Sequence, residues 1–375
     1  MKILILNNKV GGGHTSTAKA IKSILEKDPS VEIRILDSYE YISPLLQKSV
    51  ANGYLLSTSV LPYLYAGQYR FNEILDKTEK KDAGINVVNN VFVSKLLTYF
   101  LEEFYPDIVI CTHIISAEFI NLLLKKQKLH VCAVGIITDF TIHPHWCRLS
   151  HFSYFITAGE LLTYQAVKKG IPVEKILPFG IPVDKKFTKF IDKREAKKNL
   201  GLNEDKKAVL LMFGSMGYGN IEQVVAQTDS IQDDFTMMIV CGDNEKTREE
   251  LIKTQKNMNH ECRIYGFVND IDVMMSASEL IITKPGGLTT CEALCKELPM
   301  VLIKPIPGQE NRNLSFLTNN GIASYADEIT SIDEVYYQIF YNKEKLSNTL
   351  SNIRLIKKPN AAEDLCKFLM NLKLS

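Results

Sequence analysis

Met1-Lys2-Ile3-Leu4-Ile5-Leu6-Asn7-Asn8-Lys9-Val10-Gly11-Gly12-Gly13-His14-Thr15-Ser16-Thr17 opens the chain. Ile3–Leu6 is a short apolar run without alternation, the pattern of a parallel strand covered on both faces. Three glycines follow, then a helical pattern through Ala18–Leu25. Strand, glycine turn and helix form the opening of a doubly wound α/β unit. The glycines let a ligand approach the backbone, and the helix start offers unpaired N–H groups to an anion. The stretch is not a P-loop, which needs Gly-Lys-Ser/Thr after its spacer. It is not the dinucleotide fingerprint either, because Ser16 stands where the third glycine belongs. His14, directly after the glycines, can take a proton near neutral pH.

Outward from this stretch, strand-like runs recur at Val31–Leu36, Asp107–Thr112, Val131–Thr138, Tyr154–Thr157 and Ile176–Phe179. The stretch from Ile42 to Glu103 lacks strands and reads as helical. Asp184–Lys198 is rich in lysine and reads as a linker running into the first helix of a second domain. The apolar pattern restarts at Ala208–Phe213 and returns at Met237–Cys241, Arg263–Phe267, Leu280–Thr283 and Met300–Ile303. The expected organisation is an N-terminal α/β domain over 1–185 and a C-terminal α/β domain over 186–358. A last helix within 359–375 packs back on the first domain. Ligands of open α/β sheets bind outside the carboxyl ends of the strands, so a cleft between two such domains is the expected site.

Composition removes several classes. The chain has 375 residues, 46% of them apolar, enough for two cores without disulfide staples. Lys and Arg number 44 against 43 Asp and Glu, which argues against a dedicated nucleic-acid binder. The eight cysteines form no CxxC pair and read as buried thiols of a reducing cytosol. No apolar run reaches the ~18 residues that a membrane span needs.

Thr283-Lys284-Pro285-Gly286-Gly287-Leu288-Thr289-Thr290-Cys291-Glu292 repeats the strand–glycine–helix arrangement. Backbone around Leu288 and Thr289 can hold a diphosphate. Glu292 can accept hydrogen bonds from vicinal ribose hydroxyls, or it is a charge that complements the helix start. Gln309, Glu310 and Asn313 follow a Pro/Gly turn and suit sugar hydroxyls, or form a turn with a helix cap. Gly214 and Ser215, in Phe213-Gly214-Ser215-Met216-Gly217, are a weaker phosphate contact. His143 and His145, after Thr138-Asp139, have no partner cluster of metal-ligand spacing, so no metal is expected. Trp146, the single tryptophan, lines an acceptor or membrane surface or packs in the core. Six tyrosines between Tyr39 and Tyr69, among them Tyr54, Tyr63 and Tyr65, lie among leucines. They form a buried helical pair or a patch that dips into lipid, with Lys77, Lys80 and Lys81 nearby for anionic headgroups.

Five of these segments, in this order, resemble the monogalactosyl- and monoglucosyl-diacylglycerol synthase family, which is related to the N-acetylglucosaminyltransferase that forms lipid II. They are Gly11-Gly12-Gly13-His14, Thr138-Asp139 with His143 and Trp146, Phe179-Gly180-Ile181-Pro182-Val183, Lys284-Pro285-Gly286-Gly287-Leu288-Thr289, and Pro307-Gly308-Gln309-Glu310. The resemblance implies a GT-B glycosyltransferase of two Rossmann-like domains, the N-terminal one over 1–185 taking the acceptor and facing the membrane and the C-terminal one over 186–358 binding the UDP-sugar. It implies inverting, metal-independent transfer of a hexose from a UDP-sugar to 1,2-diacylglycerol, with no cofactor. His14 is then the catalytic residue, as general base or as a diphosphate contact. Gly13, Gly214, Ser215, Gly286, Gly287, Leu288 and Thr289 hold phosphate, Glu292 the ribose, and backbone at Phe267 the uracil. Gln309 and Glu310 read the donor sugar, with Asn313 near them. Asp139, His143, Trp146, Tyr54, Tyr63 and Tyr65 fall to the acceptor and membrane side.

The expected partners are a UDP-sugar, a diacylglycerol-like lipid and a membrane surface, with no nucleic acid. The expected location is cytoplasmic, peripheral on the inner face of the cell membrane. Two other functions fit the same residues: transfer to a polyprenyl-linked or other amphipathic acceptor, and a nucleotide-sugar-binding regulator. Multiple turnover and an acceptor panel separate them.

Overall fold

The structure is a computed structural model, and it describes residues 1–8, 12–38, 103–126, 129–214, 217, 220–306 and 308–373. The helical reading of 42–102, Tyr54, Tyr63, Tyr65, the lysines at 77, 80 and 81, Gly11 and Ser215 lie outside the described residues. The chain divides into two compact units. The first comprises Met1–Asp184, Pro307–Gln309 and Asn360–Ser375, the second Lys185–Ile306 and Glu310–Pro359.

The first unit has a six-stranded sheet in the order β2-β1-β3-β4-β5-β6. Its strands are β1 (Lys2–Asn7), β2 (Glu32–Asp37), β3 (Ile108–Cys111), β4 (Cys132–Ile136), β5 (Tyr154–Ile156) and β6 (Ile176–Leu177). All pairings are parallel, with Ile5 opposite both Ile35 and Ile110. Ile3–Leu6 is completely buried, as a strand covered on both faces must be. Ile3, Ile5, Ile108, Ile110, Val134, Ile136 and Ile156 form one core layer. Ala18, Ile21 and Leu25 of helix Gly12–Leu25 cover it, together with Leu365, Cys366 and Leu369 of the last helix, Ala361–Met370.

Helix Gly12–Leu25 begins six residues before the apolar pattern alone suggests. Packing of Ala18, Ala20 and Ile21 on the sheet outweighs a glycine penalty of ~1 kcal/mol per residue, and the helix extends back over Gly12 and Gly13. His14 therefore stands in a helical first turn rather than on a loop.

The second unit has its own parallel sheet in the order β12-β11-β10-β7-β8-β9. The strands are β7 (Lys207–Met212), β8 (Phe235–Val240), β9 (Glu261–Tyr265), β10 (Leu280–Thr283), β11 (Met300–Leu302) and β12 (Ser324–Tyr325). With only two residues, β12 is too short to carry a readable pattern. Val209, Leu211, Met237, Ile239, Leu280, Ile282 and Val301 lie in one core with Val335, Tyr336 and Ile339 of helix Ile332–Phe340. A capping box, Ser331 with Glu334, starts that helix.

The lysine-rich segment is more than a solvated linker. Asp192 caps helix Lys193–Asn199 by accepting from the amides of Arg194 and Glu195. Lys197 is only 4% exposed, and its ammonium donates to the Lys206 carbonyl at 2.7 Å and to Glu279 at 3.1 Å. Glu279 also accepts from the Ala208 amide at 2.6 Å, which ties the segment to the start of β7.

In both sheets the winding reverses beside a central strand. In the first unit the reversal lies between β1 and β3, in the second between β7 and β10. Strand carboxyl ends at such switch points leave a crevice where ligands bind.

Candidate active site

The β1/β3 switch point carries His14. Its Nδ1 donates to the carbonyl oxygen of Thr112, one residue past β3, at 2.7 Å. Thr138 Oγ1, beyond the end of β4, lies 3.4 Å from the same nitrogen. A carbonyl can only accept, so Nδ1 carries the proton and Nε2 of neutral His14 keeps its lone pair. Burial pushes the His14 pKa below the ordinary 6.5, and the nearby Asp139 carboxylate opposes that shift.

His113 packs edge-on against His14, ring centroids 4.8 Å apart. Its Nδ1 accepts from the Ile115 amide at 3.3 Å and caps helix Ile114–Lys125. Burial and the proximity of His14 hold His113 well below the ordinary histidine value. The sequence reading missed Thr112 and His113, although a polar Thr-His pair closing a buried apolar run was the available signal.

Asn7 and Asn8 end β1 with side chains serving different neighbours. Asn7 Nδ2 donates to Thr15 Oγ1 at 3.0 Å, and Asn8 Oδ1 accepts from Ser116 Oγ at 2.5 Å. Asn7 Oδ1, Asn8 Nδ2, Thr17 Oγ1 and Thr112 Oγ1 are buried without a hydrogen-bond partner among the described residues. Buried polar atoms of this kind are costly, and they are concentrated beneath the His14 turn.

The remaining acceptor-side residues separate into different roles. His143 accepts from the His145 amide at 3.3 Å and starts the short helix Pro144–Cys147. His145 pairs with Glu118. Trp146 is 6% exposed and packs over Gly135 of β4 and against Phe155, which corrects its reading as a membrane-facing side chain. Gly135 has no Cβ to exclude the indole, so the ring drops onto the strand. Among the described residues, no group of three His, Cys, Asp or Glu is placed to hold a metal ion. No described helix is long and apolar enough to cross a membrane. All eight cysteines are free thiols, and burial pushes Cys262 and Cys366 up to about 12.

At the β7/β10 switch point, Gly214 (φ 78°) follows β7 and Gly286 follows β10. Among the described residues, a Cβ built on either would meet nothing within 4 Å. Gly286 precedes helix Gly287–Cys295, whose first turn receives no side-chain cap from it. The amides of Gly287, Leu288 and Thr289 thus sit at an uncapped helix start, where the dipole favours an anion. Glu292 is 9% exposed and lies in the second turn of that helix, beyond the first-turn positions where a carboxylate complements the dipole. Phe267, two residues past β9, is 62% exposed.

Gln309 and Glu310 begin helix Gln309–Asn319. Glu310 Oε2 accepts from the Ile306 amide at 2.6 Å and fastens the turn before the helix. Asn313 was expected beside the sugar, but the structure buries it completely. Its Nδ2 donates to the Pro285 carbonyl at 3.0 Å, so it holds the Lys284–Gly287 turn in place.

Two parallel α/β units, each with a sheet that reverses its winding beside a central strand, have the GT-B architecture. Residues 14–183 match the monogalactosyldiacylglycerol (MGDG) synthase family, and residues 208–365 match the glycosyltransferase family 28 C-terminal domain. The chain is a UDP-sugar glycosyltransferase built of these two kinds of domain.

It is 28% identical over 362 residues to the processive diacylglycerol beta-glucosyltransferase of Bacillus cytotoxicus, covering 96% of this chain and 91% of that one. The protein of the same name from Bacillus thuringiensis is 27% identical over 365 residues, covering 97% and 92%. Among solved structures, MurG of Acinetobacter baumannii superposes with a TM-score of 0.66 at 15% identity, covering 99% of each chain. UDP-GlcNAc 2-epimerase from Neisseria meningitidis, bound to UDP-GlcNAc, gives 0.62 at 13%, covering 99% of this chain and 100% of that one. At those identities the two structures speak to the fold alone.

Proposed function

We propose that the protein transfers a hexose, glucose in preference to galactose, from a UDP-sugar to 1,2-diacylglycerol, forming a β-glycosyl-diacylglycerol. The observation that carries this reading is the His14–Thr112 hydrogen bond, which leaves Nε2 free as a base at the first switch point. The relatives named diacylglycerol beta-glucosyltransferases support the donor and acceptor. Transfer inverts the anomeric centre. The acceptor hydroxyl loses its proton to His14 Nε2 and its oxygen attacks C1. The bond from C1 to the diphosphate oxygen breaks, and UDP leaves with the electron pair.

Transfer needs no metal or other cofactor. The uncapped amides of Gly287, Leu288 and Thr289 supply the stabilisation that a cation gives in other transferases, with Gly13, Gly214 and Ser215 as further phosphate contacts. Glu292 holds the ribose, backbone at Phe267 the uracil, and Gln309 and Glu310 the sugar. Asp139 lies on the acceptor side. The enzyme works as a peripheral protein on the cytoplasmic face of the membrane, where its lipid substrate resides.

Purified protein, diacylglycerol liposomes and UDP-glucose or UDP-galactose, with EDTA present, test the proposal. UDP release with a new β-linked glycolipid is the expected result. UDP release without glycolipid overturns the acceptor, and no binding of UDP at all overturns the reading as a whole. Loss of turnover in EDTA, restored by a divalent cation, overturns metal independence.

A further inference from the structure

Lys284 is the first residue beyond β10, at the second switch point. It stands two residues before Gly286 and three before the uncapped helix Gly287–Cys295. Its carbonyl accepts from the Gly286 amide at 2.8 Å, so its backbone is part of the glycine turn. The side chain is half-buried, and burial pushes its pKa below the ordinary lysine value, opposed by the Glu310 carboxylate. Among the described residues, no hydrogen bond or ion pair within 4 Å engages its ammonium.

The other partly or fully buried lysines nearby are used differently. Lys197 is held by Glu279 and the Lys206 carbonyl, Lys296 donates to the Lys189 carbonyl, and Lys357 pairs with Glu297. A desolvated ammonium is costly to leave uncompensated, and an anion is what compensates it. The one carboxylate acting on it, Glu310, already spends Oε2 on the Ile306 amide. Amides at a helix start and an unengaged cation, on the same turn, make a site for a group carrying more than one negative charge.

We propose that Lys284 is a further catalytic residue of this transferase, its ammonium engaging the diphosphate of the sugar nucleotide. This rests on the reading of the protein as a UDP-sugar transferase and deepens it. When the C1–O bond to the diphosphate breaks, the electron pair stays on the phosphate oxygen and the leaving group gains a negative charge. A fixed ammonium stabilises that charge more than it stabilises the bound donor, so it lowers the barrier as well as holding substrate.

The test compares UDP with uridine, which lacks both phosphates, by calorimetry on the full chain, alongside turnover with diacylglycerol vesicles. Lys284→Met is expected to weaken UDP binding by ~10-fold or more and to lower kcat by ~100-fold. Uridine affinity should stay within about twofold, and that retention also shows a folded site. Lys284→Arg keeps the charge and should recover part of both losses. Uridine and UDP weakening together, or neither changing, overturns the role. Should Lys284→Met not fold, Lys284→Arg with unchanged kcat and a lowered melting temperature would overturn it in favour of a structural lysine. A wild-type protein that binds uridine and UDP equally overturns it too, whereas one that binds neither removes the functional reading beneath it.

Discussion

The Nδ1 of His14, in the first turn of its helix, donates to the carbonyl oxygen of Thr112 at 2.7 Å, across 98 residues of sequence. One strand end thereby decides which ring nitrogen of the histidine carries the proton. A backbone carbonyl cannot be removed by substitution and cannot reverse its role, so the tautomer is fixed by the fold itself.

Replacing His14, the proposed base, should affect rate more than binding. His14→Ala is expected to lower kcat by ~100-fold or more while UDP affinity stays within a fewfold. Steady-state kinetics with UDP titration measures both. A loss confined to UDP affinity reassigns His14 to the diphosphate.

The pH dependence has a definite sign. Burial lowers the His14 pKa and Asp139 raises it, with burial the larger influence. The acid limb of kcat/KM, which reports the free enzyme's base, should therefore lie below the ordinary histidine value of 6.5. Asp139→Asn removes the opposing charge and should move the limb to still lower pH. An upward move would show that Asp139 does not act on His14 through its charge.

Stability should fall on the acid side. His14 and His113 both have folded-state pKa values below 6.5, so the unfolded chain binds more protons as pH drops. Their contribution is present above the unfolded value and is lost as pH falls through and below it. Melting temperatures from pH 7.5 to pH 5 should decline more shallowly in His113→Asn. Asparagine can still cap the Ile115 amide but does not titrate. An unchanged slope in that variant would remove His113 from the account.

The Asn313–Pro285 contact predicts a coupled loss. Asn313→Ala leaves a buried carbonyl unpaired and should cost ~1–3 kcal/mol of stability. It also frees the turn that carries Gly286 and Gly287, so donor affinity should fall along with the melting temperature. Denaturant melts and UDP titration read the two effects. Full stability with selective loss of sugar discrimination would return Asn313 to the sugar.

A Cβ at position 135 would stand 2.7 Å from Cζ3 of Trp146 and 3.2 Å from the Phe155 ring. Gly135→Ala is therefore expected to destabilise the first unit by ~1–3 kcal/mol through overpacking. Trp146 is the single tryptophan, so its emission reports the change directly, with a red shift as the ring is displaced. Unaltered emission and stability would mean that the indole does not rest on the strand.

Much of the site was legible because it is local. The Ile3–Leu6 run, the glycines and His14 fall within one strand–turn–helix, and Leu280–Thr283 with Gly286 and Gly287 in another. Short-range period and backbone permissiveness suffice to read such units. The lysine-rich segment 184–198 was legible as charge, and the second compact unit begins at Lys185.

Other features needed the fold, because they depend on which strands lie side by side. Sequence order does not reveal that β1 neighbours β3, and that adjacency brings Thr112 and His113 to His14. Asn313 and Trp146 belong to residue types equally at home in a binding site and in a core. Only burial, together with the Pro285 carbonyl and the bare face of Gly135, decided for the core. Lys284 was visible from the start as one letter of a motif. That its half-buried ammonium makes no hydrogen bond or ion pair among the described residues is a property of surroundings drawn from distant parts of the chain. By itself the sequence determined the two α/β units, the glycines near their helix starts and the candidate base. Tertiary structure decided which polar groups face chemistry and which hold the fold, because that choice depends on neighbours that only packing supplies.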